Sequence, residues 1–181
     1  MIREQIEVGV AIRRLASAYE AFPDSVRAVR TVGGSLASNG NPLSEERDKR
    51  DAWASGLSVK PFAEGMEILY FVGCYYSYDP RMQKVAVATA EILKRAGVDF
   101  GILGKDEKCC GEPMRKMGNE YLYQSLAMEN VEALQASGVK KVVTTCPHCY
   151  NTLAKDYRDF DFSLEVETYT VFLEGLIREG K

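Results

Sequence analysis

The sequence lacks both the long apolar run of a membrane protein and the positive charge of a nucleic-acid-binding protein. Its 181 residues include 23 Lys and Arg and 26 Asp and Glu, for a formal net charge of −3. Without a polycationic surface, nucleic acid is an unsuitable partner. No apolar stretch approaches the roughly 20 residues that span a bilayer, and the amino terminus, MIREQIEVGVAIRRL, lacks the apolar core of a signal peptide. We therefore predict a cytoplasmic protein without a direct membrane span.

Histidine is also scarce, and no proline occurs after residue 149. His148, the only histidine, lies inside Cys146-Pro-His-Cys149 and is a candidate proton donor. That motif occurs in thioredoxin-like dithiol oxidants, but such folds place a cis-proline strand after the active-site helix. None of the six prolines follows Cys149, which argues against a thioredoxin-like protein. Dithiol–disulfide exchange through Cys146 and Cys149 stays an alternative function.

The first third of the chain is predicted to be helical and contains no cysteine. Apolar residues recur at mostly three-to-four spacing in IREQIEVGVAIRRLASAYEAF, and a second helix is predicted through Val26, Val29 and Val32. GGSLASNGNPLSEERDKRDAW is rich in turn-forming and charged residues, which predicts a loop and a short exposed helix. We interpret residues 1–63 as a helical linker or docking segment.

Strand and helix patterns alternate from residue 64 to residue 181. Short β-rich runs occur at EILYFVG, VDFGILG, VKKVVTTC and LEVETYT. Helical patterns separate them at RMQKVAVATAEILKRAG, at GNEYLYQSLAMENVEALQASG and after Pro147, and VFLEGLIREGK is predicted to be a closing helix. This alternation predicts an α/β domain: a small parallel sheet with flanking helices in doubly wound βαβ units.

All five cysteines follow predicted strands, which places them at one edge of the sheet. They are Cys74, Cys109, Cys110, Cys146 and Cys149. The carboxyl ends of parallel strands are where open α/β sheets build their sites, so one shared site is expected. In a reducing compartment, clustered cysteines indicate metal or redox chemistry more often than disulfides. Because Cys149 falls in the first turn of a helix, we expect its pKa to be lowered.

The number and spacing of the cysteines favour a cluster over a single ion. A structural zinc ion and an ordinary cubane iron–sulfur cluster each take four ligands. The adjacent pair Cys109-Cys110 suits a single ion poorly, because neighbouring side chains diverge. A larger cluster with several irons accommodates that pair more easily. An iron–sulfur cluster is therefore the first interpretation, and zinc is the alternative cofactor.

The cysteine spacing and the words around it resemble the cysteine-rich CCG domain of heterodisulfide reductase catalytic subunits and related iron–sulfur proteins. The matching words are FVGC followed by YDPR, CCGEPMRKMGNE and TTCPHCYNTL. NGNPLSEERDKRDAW resembles the linker upstream of that domain. The resemblance covers about residues 67–181. It extends to the first of two cysteine-rich halves only, so we expect a fragment or one piece of a split subunit.

The resemblance implies a noncubane 4Fe-4S cluster. Its ligands would be Cys74, Cys109, Cys110, Cys146 and Cys149, and Gly111 would let the backbone pass close to it. It implies an electron-transfer module of a heterodisulfide reductase-like oxidoreductase, associated with a membrane complex. The expected partners are a ferredoxin-type, flavin or membrane cytochrome subunit and a second CCG half. A zinc-binding, non-catalytic assembly scaffold is the competing interpretation.

Overall fold

A five-stranded parallel sheet forms the centre of the molecule, which confirms the predicted α/β class. The computed structural model describes residues 23–181; the helix predicted in IREQIEVGVAIRRLASAYEAF lies outside that range. The strands are β1 (Lys60–Pro61), β2 (Ile68–Phe71), β3 (Phe100–Ile102), β4 (Lys141–Thr144) and β5 (Glu165–Thr168). Their spatial order is β1-β3-β2-β4-β5. The order therefore reverses between β2 and β4, the kind of position where α/β sheets bind ligands.

Helices connect these strands. The α-helices of the described chain are α1 (Pro23–Asn39), α2 (Cys74–Tyr78), α3 (Pro80–Arg95), α4 (Glu112–Lys116), α5 (Glu120–Ser137), α6 (Pro147–Ala154) and α7 (Tyr169–Arg178). Single 3₁₀ turns occur at Arg47–Lys49, Ala52–Ala54, Gly104–Asp106 and Asp156–Phe160. Across residues 23–181, no helix has both the length and the apolar character of a membrane span.

Both faces of the sheet are covered, as the doubly wound prediction requires. Side chains alternate between the two faces along a strand, and all four residues of β2 are buried. Leu69 and Phe71 belong to one core with residues of α1, α5 and α6. Ile68 and Tyr70 belong to the other, with residues of α3 and α7. β2 is therefore the apolar centre from which the loop carrying Cys74 emerges.

The segment before β2 packs against this domain more closely than its composition suggests. The predicted loop begins at Gly33, but α1 continues to Asn39 and buries Leu36 in a core. Arg50 and Trp53, expected on an exposed helix, are 2% and 6% exposed. β1 then pairs with β3 at the sheet edge. The division of the chain at residue 63 stays a prediction, but residues on both sides of it share the two cores.

Candidate metal-cluster site

Three turns at the carboxyl edge of the sheet carry the five cysteines. The turn after β2 ends at Gly73, and Cys74 is the first residue of α2. Cys109 and Cys110 lie in the loop after β3, before α4. Cys146 is the residue that precedes α6, and Cys149 lies in its first turn. Pro147 opens α6, where the missing N–H of proline costs nothing.

The five thiols form one continuous series of contacts. Cys74 neighbours Cys109, Cys109 neighbours Cys110, Cys110 neighbours Cys149, and Cys149 neighbours Cys146, and each pair is close enough to shift the pKa values of its members. None of the five forms a disulfide. Residues that lie up to 75 positions apart (149 less 74) in the chain are thus neighbours in space. The topology brings all the predicted ligands together.

The cysteines line a cavity of about 230 Å³. Its other lining residues are Pro42, Tyr75, Glu112, Pro113 and His148. Tyr75 is 54% exposed and the His148 side chain 60% exposed, so these two lie at its solvent side. Within residues 23–181, no group of three or more His, Cys, Asp or Glu side chains is arranged to hold a metal ion. The thiols are instead distributed along the wall of the cavity.

Cys146, rather than Cys149, has the lowered pKa at the start of α6. A hydrogen bond from the Cys149 thiol, together with the backbone N–H groups of His148 and Cys149, lowers the pKa of Cys146 to about 6. Hydrogen bonding to Cys110 and Cys146, then burial, raises the pKa of Cys149. The expectation for Cys149 is therefore wrong. A thiol at the cap position receives the free N–H groups of the helix, whereas Cys149 serves as the donor to both neighbours.

A second thiol of lowered pKa lies at the middle of the series. Hydrogen bonds from Cys109 and Cys149 lower the pKa of Cys110, against the effect of burial. The pKa of Cys109 is raised chiefly by the hydrogen bond to Cys110, and that of Cys74 by the hydrogen bond to Cys109. Thiolates are the form that binds metals. The site thus offers negative charge at Cys110 and Cys146, with protonated thiols beside each.

A buried polar pair holds the backbone of Cys109 and Cys110. The Asn130 side-chain amide donates to the Cys109 carbonyl at 2.8 Å and to the Tyr157 hydroxyl at 3.1 Å. The Tyr157 hydroxyl in turn donates to the Cys110 carbonyl at 3.1 Å. The sequence pattern did not single out either residue, because Asn130 is one polar residue within a long helix and Tyr157 lies in the charged turn Asp156–Phe160. Their role depends on contacts across more than 20 positions of sequence.

A buried ion pair lies behind Cys74. Arg50 Nη2 donates to Glu107 Oε1 at 2.6 Å, and Glu107 also accepts from the backbone N–H groups of Val72 and Gly73. Both Nη atoms of Arg50 lie 3.7 Å from the Cys74 sulfur. Composition gave no signal for either partner, since charged residues in a charged segment are usually solvated.

Gly111 and His148 take positions beside the cavity. Gly111 has a left-handed backbone (φ 89°), and a Cβ there would lie 2.8 Å from the Tyr123 ring. That contact explains the glycine, while its predicted approach to a cluster stays a prediction. His148 Nδ1 lies 2.9 Å from Glu112 Oε1, which Lys116 Nζ also contacts at 2.7 Å. Glu112 therefore fixes the imidazole at the cavity wall.

These features define a class: a doubly wound α/β domain with a five-cysteine site at its switch point. Residues 68–154 match the sequence model of the cysteine-rich domain named CCG. We therefore identify this part of the chain as a CCG cysteine-rich domain. No solved structure matches the chain significantly.

Curated relatives of the chain are iron–sulfur and redox proteins. The chain is 36% identical over its whole length to a probable iron-sulfur-binding oxidoreductase, FadF, of Bacillus subtilis, covering 27% of that protein. An EtfAB:quinone oxidoreductase of Syntrophomonas wolfei is 44% identical over 64% of the chain and 16% of the relative. A dihydromethanophenazine:CoB–CoM heterodisulfide reductase component of Methanosarcina acetivorans is 34% identical over 78% of the chain and 35% of the relative. The chain thus spans about a third or less of the length of these relatives.

Proposed function

We propose that this chain is the iron–sulfur electron-transfer module of a heterodisulfide reductase-like oxidoreductase. The single observation that carries the proposal is the continuous series of five thiols along one cavity. The relatives named above support the chemistry, because their names include iron–sulfur binding and heterodisulfide reduction. When bound, an iron–sulfur cluster accepts and releases single electrons.

The donor set fits such a cluster. Clusters are held by cysteine thiolates, and two of the five thiols have lowered pKa values in this cavity. The ligands we propose are Cys74, Cys109, Cys110, Cys146 and Cys149. The backbone N–H of Gly111 stabilises negative charge on Cys109, and the backbone N–H of Glu112 does the same for Cys110. The finer proposal is a noncubane 4Fe-4S cluster, since five ligands exceed the four of a cubane.

Residues at the solvent side of the cavity would receive the substrate or the electron partner. His148 Nδ1 is bonded to Glu112, which leaves Nε2 as the nitrogen that would exchange a proton with a bound molecule. Cys74, Cys109, Cys110 and Cys149 are only 3–7% exposed, so water is kept away from four of the five sulfurs. The proposed partners are other redox subunits of a membrane-associated complex and a second CCG half.

The test is metal and acid-labile sulfide analysis of the chain purified without oxygen, together with its visible and electron paramagnetic resonance spectra. We expect about four irons and four sulfides per chain. Cys109→Ser and Cys110→Ser should each change the spectrum, because both sulfurs lie inside the thiol series. A serine variant of an exposed residue outside the cavity, Met128→Ser, is the control and should leave it unchanged.

Two other results would replace the proposal. About one zinc per chain without sulfide or colour would support the assembly scaffold. A metal-free chain that exchanges disulfides through Cys146 and Cys149, and loses this activity in Cys146→Ser, would support dithiol chemistry. Iron and sulfide at another ratio would keep the electron-transfer function and reject the four-iron form.

A further inference from the structure

We propose that Arg50 is a positioning residue of the cysteine site: its guanidinium, held by Glu107, fixes the sulfur of Cys74 and supplies positive charge to the group bound there. This inference rests on the proposed iron–sulfur function. Arg50 lies outside the matched CCG segment, residues 68–154. It belongs to residues 1–63, which the sequence pattern predicts to be a helical linker or docking segment.

The first argument is geometric. Arg50 places two guanidinium nitrogens at the same 3.7 Å distance from one sulfur, that of Cys74. Glu107 fixes the guanidinium through a 2.6 Å contact with Nη2, one of the two nitrogens that reach the sulfur. The planar guanidinium can donate in two directions at once, a geometry that a lysine ammonium does not reproduce. The sulfur is thus held by Arg50 as well as by its contact with Cys109.

The second argument concerns the turn that carries Cys74. Glu107 accepts the backbone N–H groups of Val72 at 2.9 Å and Gly73 at 2.8 Å. The same carboxylate therefore fixes the guanidinium and the two residues that precede Cys74. Arg50, Glu107 and the β2–α2 turn therefore form one unit, which fixes both the Cys74 sulfur and the guanidinium charge next to it.

The third argument is energetic. Both side chains of the pair are 2% exposed, and removing two charges from water carries a large desolvation penalty. Buried ion pairs are often no more stabilising than apolar residues of the same volume. Stability alone therefore does not explain why a charged pair occupies this position. Contact with a redox-site sulfur does, because hydrogen bonds to cluster sulfurs and nearby charge set the reduction potential.

The surroundings of the guanidinium also leave one of its N–H groups available. Nε of Arg50 is buried and has no hydrogen-bond partner among residues 23–181. The Tyr78 ring lies 5.8 Å from the guanidinium carbon and closes another side. A cation held in this way beside a ligand sulfur stabilises the more negatively charged, reduced form of the bound cluster. The expected consequence is a higher reduction potential than the same site would have without Arg50.

The test compares four variants of the full chain, loaded with iron and sulfide without oxygen. Arg50→Gln removes the charge, Arg50→Lys keeps it without the forked geometry, and Arg50→Gln/Glu107→Gln leaves an uncharged pair. Arg47→Gln is the matched control, because it removes an exposed arginine of the same segment. The readouts are iron and sulfide per chain, circular dichroism, and the midpoint potential from a redox titration followed by electron paramagnetic resonance.

We expect a more negative midpoint potential in Arg50→Gln and in the double variant, an intermediate value in Arg50→Lys, and the wild-type value in Arg47→Gln. A folded Arg50→Gln chain that loses iron also supports the positioning role. Wild-type potential and spectrum in a loaded Arg50→Gln chain would overturn it. If Arg50→Gln does not fold, the double variant decides; its failure to fold would reduce the pair to a structural role. A wild-type chain without iron and sulfide rejects the proposed function itself.

Discussion

At the scale of single residues, Gly73 is a position where a side chain would be strained and would also crowd two cysteines of the site. Its backbone has φ 81° and ψ 159°, a region that is essentially restricted to glycine and costs other residues about 1–3 kcal/mol. A Cβ there would also lie 3.1 Å from Cys149 Sγ and 3.4 Å from Cys146 Cβ. The absence of a side chain at residue 73 therefore permits two turns of the cysteine site to approach each other.

Gly73→Ala should lower both the free energy of unfolding and the iron content. Gly118→Ala is a matched control, because Gly118 has the same φ of 81° with no atom within 4 Å of the added Cβ. Both variants should lose about 1–3 kcal/mol from backbone strain at positive φ, and only Gly73→Ala should lose iron as well. Urea denaturation and iron analysis measure the two effects. Equal behaviour of the two variants would contradict the steric argument.

Cys146 should be the first thiol to react in the reduced chain without metal. It is partly exposed, whereas the other four cysteines are buried, and its pKa is lowered to about 6. The thiolate predominates above that pH, so the alkylation rate should be near its maximum at neutral pH and fall as the pH drops through the pKa. Iodoacetamide labelling with peptide mass spectrometry measures this order. In urea all five cysteines should react alike; earlier labelling of Cys109 or Cys149 in the folded chain would contradict the prediction.

Residue-level inference from the sequence reached the cysteines but not their supports. The five ligand candidates are recognisable by residue type and by position after each strand. Arg50 is not, because it lies in the charged stretch SEERDKRD and its partner Glu107 is 57 positions away. The burial of a charged side chain depends on a partner that the fold supplies, and no local pattern encodes that pairing.

At the scale of elements, α5 and the 3₁₀ turn Asp156–Phe160 together hold the loop of the adjacent cysteines. Asn130 on α5 and Tyr157 on the turn bind the carbonyls of Cys109 and Cys110. Both side chains are almost fully buried, at 1% and 0% exposure. A buried carbonyl that loses its donor costs about 1–3 kcal/mol, so these two contacts matter for the order of the loop.

Tyr157→Phe should destabilise the chain by about 1–3 kcal/mol, because the Cys110 carbonyl and the Asn130 amide each lose a buried partner. The ring itself stays, so the packing of the core is retained. Tyr121→Phe is the control: Tyr121 is 87% exposed on the same helix as Asn130 and should change stability by less than about 0.5 kcal/mol. Urea denaturation compares them. A Tyr157→Phe chain as stable as Tyr121→Phe would show that the hydroxyl does not hold the loop.

Most elements of the domain could be predicted from periodicity and from glycine and proline punctuation. β2 to β5 and the helices α3, α5, α6 and α7 lie where the alternating pattern places them. β1 was missed because it has only two residues, one of them a proline, which a sheet accepts at its edge. The sequence pattern does not predict the end of α1, because Gly33 and Gly34 disfavour a helix. The helix nevertheless continues through both glycines. At Gly33 it passes close to the core, since a Cβ there would lie 3.7 Å from Met114 Sδ.

At the scale of the whole molecule, the parallel topology explains how five scattered cysteines become neighbours. Alternation of strands and helices predicts that every strand ends at the same edge, and the strand order then places β2 between β3 and β4. The loops after these three strands carry all five cysteines. Convergence was therefore predictable from the sequence, whereas the order of contacts along the cavity wall required the packed structure.

The segment before residue 64 contributes buried side chains to both cores, so we expect it to stabilise the domain. Removing the segment tests this expectation. A chain of residues 64–181 loses Leu36 and Trp53 from the two cores, as well as β1 and Arg50. Each large apolar side chain contributes about 1.5–3 kcal/mol on burial, against a total stability of about 5–15 kcal/mol for a typical domain. We expect the shortened chain to have a much lower unfolding temperature and to hold less iron, measured by circular dichroism and iron analysis.

Co-expression of residues 1–63 with the shortened chain is the complementary measurement. Leu36 and Trp53 contact the domain by apolar packing, and Arg50 contacts it through its ion pair with Glu107. Because none of these contacts needs a covalent connection, the separate segment should restore part of both the stability and the iron content. An independent linker would instead leave residues 64–181 as stable as the full chain, and the added segment would change nothing. That result would place the boundary of the folded unit at residue 63 and would also remove Arg50 from the cysteine site.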